Sequence, residues 1–129
     1  MAAKHKPAFI GRYILHDILF HVYYDHTYES GAEVAYAWTP HGFVTMTIYG
    51  KGKCWQQVYA HALHEVMEAS FVAEKVSFSP FGGLQRQDTG RFRFMLDHDQ
   101  FTDACLHAGD MLALMVPELE KAWKKGRRK

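Results

Sequence analysis

Residues 43–49 alternate strictly, with Val44, Met46 and Ile48 on one face and Thr45 and Thr47 on the other. That period of two predicts a half-buried strand. Upstream, residues 13–24 read YILHDILFHVYY, a run of β-branched, aromatic and leucine residues without a helix breaker, and predict one strand or two joined strands. The turn-rich DHTYESG follows, then a short strand over residues 33–38 and the turn TPHG at 39–42. The strands at 33–38 and 43–49 are therefore expected to form a hairpin.

Near Lys53 the period lengthens from two to 3.6. Over residues 55–75, Val58, Tyr59, Ala62, Val66, Ala69 and Ala73 gather into an apolar stripe, the mark of an amphipathic helix. His61, His64 and Glu68 fall nearly opposite, within roughly a 60° arc. Residues 77–90 carry Pro80, Gly82, Gly83 and Gly90 and read as a loop; residues 91–96 alternate again, with Phe92, Phe94 and Leu96 on one side. Asp97 followed three residues later by Gln100 is a capping box. The helix it opens has a long stripe of Phe101, Ala104, Cys105, Ala108, Met111, Leu112, Met115, Leu119 and Trp123, and Pro117 should kink or divide it. The expected fold is α+β, a small antiparallel sheet, including the 91–96 strand, packed against two main helices. At 129 residues it reads as a single domain, 1–129, with frayed ends near 1–8 and 124–129.

Composition narrows the function classes. Apolar residues at 48% and charged residues at 22% are globular values. A net charge of +1 gives no strong field for nucleic acid or an anionic membrane, and no run is long enough to span a bilayer. No secretory signal is read at the start, and Cys54 and Cys105, without a C-x-x-C pairing, are expected to be buried free thiols. These features point to the cytoplasm.

The densest set of metal-ligating and acid–base groups is HALHEVMEA at residues 61–69, with His98 at the start of the next helix. In an H-E-x-x-H helix the two histidines, four apart, share a metal, and the glutamate after the first polarises a bound water. Here Glu68 stands at the second position, giving H-E-x-x-E. His64, Glu68 and His98 make the two-imidazole, one-carboxylate set of catalytic zinc sites that keep a position open for water, with Glu65 as the base. His61 and Glu68, seven apart, are separated by about 10.5 Å along the axis and are not expected to share an ion; His61 with Glu65, also four apart, is the second-choice pair after His64 with Glu68. Nine histidines also make chance pairs common, and a polar face opposite an apolar stripe is what a solvated helix presents. His16, His21 and His26, five apart, put neighbours on opposite strand faces and are not expected to act together.

HALHEVMEA, the strand after it and FMLDHDQFTDACLHAGDMLALM together resemble a group of small phage-encoded, metallopeptidase-like proteins, in which an H-E-x-x-E or H-E-x-x-H helix precedes a strand, a further histidine and a terminal amphipathic helix. The resemblance covers residues 58–125. It implies metal ligation by His64, Glu68 and His98 and a base role for Glu65; the loop at 77–90 and the additional His61 depart from the pattern. Two readings follow. One is a small zinc-dependent hydrolase of peptidase type; the other is a non-catalytic phage accessory protein or host-defence inhibitor that acts by binding a protein or peptide.

Overall fold

The computed structural model describes residues 6–27, 32–35, 43–73, 77–78, 93–94 and 97–127. Strands β1 (Ala8–Leu15), β2 (Ile18–Asp25), β3 (Ala32–Ala35) and β4 (Val44–Tyr49) precede helix α1 (Trp55–Ala73); the short strands β5 (Ser77–Phe78) and β6 (Arg93–Phe94) separate it from helix α2 (His98–Arg127). The fold is α+β, as the change of period predicts. The turn at 39–42, most of the loop at 77–90 and most of the turn-rich 25–31 segment lie outside the described residues.

The run at 13–24 is two strands of a hairpin. Leu15 pairs with Ile18, leaving His16 and Asp17 as a two-residue turn with φ of 51° and 66°. Positive φ at both positions is the mirror-image turn whose twist matches that of the flanking strands. Nothing in YILHDILFHVYY resembles the usual Asn-Gly signal, which is why the reversal is hard to see in the sequence. A bulge between Phe9 and Gly11 shifts the register, so Phe9 pairs with Tyr23 on one face of the sheet while Tyr13 pairs with Phe20 on the other.

The main sheet has the order β1-β2-β4-β3. β3 and β4 are antiparallel, as expected of a hairpin, but β2 and β4 run parallel, so the sheet is mixed. The second departure is β6, which pairs with β5 in a separate two-stranded sheet and does not join the main one.

Both helices cover one face. α2 packs on β1 and β2, α1 on β3 and β4, and the helices pack on each other. Tyr13, Leu15, Phe20, Val22, Tyr24, Val44, Met46 and Ile48 from the sheet meet Val58, Ala62, Val66 and Ala69 of α1 and Ala108, Met111, Leu112, Met115, Leu119 and Trp123 of α2 in one core. Within the predicted stripes Tyr59 and Phe101 are instead exposed, and of the cysteines expected to be buried Cys54 is exposed and Cys105 half-buried.

The capping box forms as read: Gln100 N donates to Asp97 Oδ1 at 2.8 Å and Asp97 N to Gln100 Oε1 at 2.9 Å. α2 then runs unbroken past Pro117 and through the expected frayed end to Arg127. Among the described residues no helix is long and apolar enough to cross a membrane.

Candidate metal centres

α1 carries the H-E-x-x-E segment in its middle, apolar side on the core and polar side outward. His64 Nε2 lies 2.9 Å from Glu68 Oε2, one helical turn on, with the imidazole 68% exposed. One ligand atom each from His64, Glu65 and Glu68 falls within 4.8 Å of the others, so three of the four predicted residues converge. In water a pair this exposed contributes only a few tenths of a kcal/mol as an ion pair. His61, a turn before, is half-buried; desolvation holds its imidazole below the ordinary value, with Lys53 and His64 adding to the effect.

His98 does not join them. It stands exposed at the first residue of α2 and belongs to neither cluster of converging donor atoms among the described residues. The helix pairing explains why. Ser70 of α1 bonds to Ala104 of α2, Phe71 stacks on Phe101, and Trp55 meets Trp123, so the two helices run antiparallel. His64 lies six residues from Ser70 in one direction, and His98 six residues from Ala104 in the other. At 1.5 Å per residue they are about 18 Å apart along the helix pair, far beyond the span of one ion.

A second set of donors does come together, and the sequence reading missed it. His16 on the β1–β2 turn, Asp103 and His107 bring one ligand atom each within 4.8 Å of one another. The His16 and His107 rings lie 3.9 Å apart between centroids, and His107 Nε2 is 3.7 Å from Asp103 Oδ2, a turn before it on α2. His16 Nε2 is 2.9 Å from Ser70 Oγ, which in turn donates to the Ala104 carbonyl at 2.8 Å. Because the serine proton is committed to that carbonyl, Ser70 Oγ accepts from His16, which fixes the proton on Nε2 and the lone pair of the neutral ring on Nδ1. Desolvation lowers the His16 pKa, the neighbouring His107 lowers it further, and Asp103 and Asp17 oppose them. The signal available in the sequence was Asp103 and His107 at i, i+4; their partner, 87 and more positions away, sits at a reversal that no turn residue marks within the 13–24 run.

Two surface clefts, of about 320 and 610 Å³, lie at the other end of the helix pair, around Tyr24, His26 and Gly126. Neither is lined by His64, Glu65, Glu68 or His98. Comparison with family models, with curated proteins and with solved structures finds no match.

Proposed function

We propose that the chain is a small divalent-metal-binding protein, with zinc as its ion, whose hydrolytic centre of peptidase type is the polar face of α1. The observation that carries this reading is the convergence of His64, Glu65 and Glu68 on one exposed patch, with donor atoms within 4.8 Å. His64 and Glu68 would hold the ion, offering the imidazole and carboxylate that zinc accepts. Glu65, beside them, would serve as the general base, the ion supplying the acidification of a water. The reading omits His98 from the ligand set, since the antiparallel helices hold it about 18 Å along the pair.

Elemental analysis of untagged protein tests the reading directly, with replacement of α1 residues one at a time. His64→Ala and Glu68→Ala should each remove zinc from this centre. Glu65→Gln should keep the zinc and lose hydrolysis of a peptide substrate. Unchanged zinc affinity at every site in both His64→Ala and Glu68→Ala would dismiss the α1 centre.

The alternative, a metal-binding protein that engages a protein partner without catalysis, draws on one observation: Leu106 and Leu114 of α2 are 64% and 68% exposed. Zinc bound at α1 with no peptide hydrolysis, in wild type as in Glu65→Gln, would favour it.

A further inference from the structure

We infer that His16, Asp103 and His107 form a second divalent-metal centre, distinct from the α1 face, that clamps the β1–β2 turn to the helix pair. Two imidazoles and one carboxylate are the two-nitrogen, one-oxygen set that suits zinc and its borderline neighbours. Their ligand atoms stand within 4.8 Å. Around a tetrahedral ion with bonds of about 2.0–2.1 Å they must close to roughly 3.3 Å, a movement within reach of side-chain rotation. His107 and Asp103 have that freedom, being 43% and 54% exposed. Their exposure also leaves the outer coordination positions to water.

His16 is held through its Nε2. A metal-ligating histidine ordinarily donates its other ring N–H to a fixed acceptor, which sets the tautomer and aims the ring. His16 has such an acceptor in Ser70 Oγ, a fully buried hydroxyl anchored in turn on the Ala104 carbonyl. The relay touches all three parts of the centre: the hairpin turn, α1 and the turn of α2 that carries Asp103 and His107. Asp103 and His107, one helical turn apart, present their side chains on the same edge of α2. An ordinary ion pair needs one cation and one anion; this cluster sets a second imidazole, tilted by 40°, with its centroid 3.9 Å from that of the first. Two protonated rings at that distance repel, whereas two neutral rings and a carboxylate around one dication attract.

The test uses the full-length, untagged chain carrying His64→Ala and Glu68→Ala, so that the α1 face contributes no ligands. Zinc titration followed by native mass spectrometry should give one bound equivalent and a rise in melting temperature. Cobalt(II) in its place should give the visible absorption of a nitrogen-ligated ion. In the same background, His107→Ala and Asp103→Ala, both at half-exposed helix positions and so expected to keep the circular dichroism of the parent, should weaken zinc at least tenfold. Ser70→Ala, which changes no ligand, should weaken it by about 10–100-fold, the usual effect of losing the partner of a ligating imidazole. No zinc equivalent in the background chain would overturn the proposal. So would an affinity left unchanged by both His107→Ala and Asp103→Ala. Because the α1 ligands are already absent, neither result bears on the α1 reading, which stands or falls on His64 and Glu68 in the otherwise native chain.

Discussion

At the scale of single residues the turn at His16 and Asp17 carries a backbone cost, because two side-chain-bearing residues there occupy left-handed conformations. Each such residue costs about 1–2 kcal/mol relative to right-handed backbone, somewhat less for Asp, whose short polar side chain suits that region. Glycine would adopt the same φ of 66° without the Cβ clash, at some expense in unfolded-chain entropy. Asp17→Gly is therefore expected to stabilise the fold by about 0.5–1 kcal/mol, measured as a rise in the urea midpoint at constant slope. A lower midpoint would mean that Asp17 makes an interaction worth more than the strain it bears. The opposite economy appears at Gly50, where any Cβ would run into the ring and hydroxyl of the buried Tyr24; there the absence of a side chain lets the strand end close against the core.

At the scale of elements the hydrophobic pattern foretold most of what formed, and its failures share a cause. β4 buries Val44, Met46 and Ile48, and α2 opens on the Asp97–Gln100 box, because period and capping are local properties. The parallel pairing of β2 with β4 and the separate β5–β6 ladder depend on which strands meet, and no local pattern encodes that choice. Of the kink or division expected at Pro117, division does not occur. Proline removes the N–H that would bond to Ala113 and crowds the preceding turn, yet α2 continues for ten residues more. Burial explains the outcome: Met111, Leu112, Met115, Leu119 and Trp123 lie on both sides of the proline and anchor both halves of α2 to one core, while Pro117 itself faces solvent. Tertiary packing thus holds a helix that the local sequence opposes, and the opposition should be measurable. Pro117→Ala restores the missing donor at an exposed position and should raise stability by about 1–3 kcal/mol, read from chemical denaturation. An unchanged midpoint would show that the helix has already absorbed the proline without cost.

At the scale of the whole molecule the same division separates the parts of the candidate centres that were legible from those that were not. The carboxylate–imidazole spacings on α1 and α2 are i, i+4 and can be read from the chain. Whether a third ligand arrives depends on the antiparallel packing of the helices, which carries His98 away from His64, and on the hairpin, which carries His16 to His107. The packing that decides this also buries Tyr13 and Tyr24 in the single core, and it ties the stability of the molecule to alkaline pH. Both phenols have pKa values raised above the ordinary 10.0, first by desolvation and then by a nearby carboxylate, Glu118 for Tyr13 and Asp25 for Tyr24. The unfolded chain, with its tyrosines in water, releases these protons near pH 10, while the folded chain still holds them. Between the ordinary and the raised values the native state therefore binds more protons than the unfolded state, and stability falls as pH rises. The contribution is complete below about pH 10 and is lost as pH climbs through the raised values. Denaturant midpoints measured from about pH 8 to 12 should be flat at first and then decline, and the decline should be shallower in a Tyr13→Phe, Tyr24→Phe chain, which lacks these two buried phenols. Parallel curves for the two proteins would assign the alkaline loss to groups other than these two tyrosines.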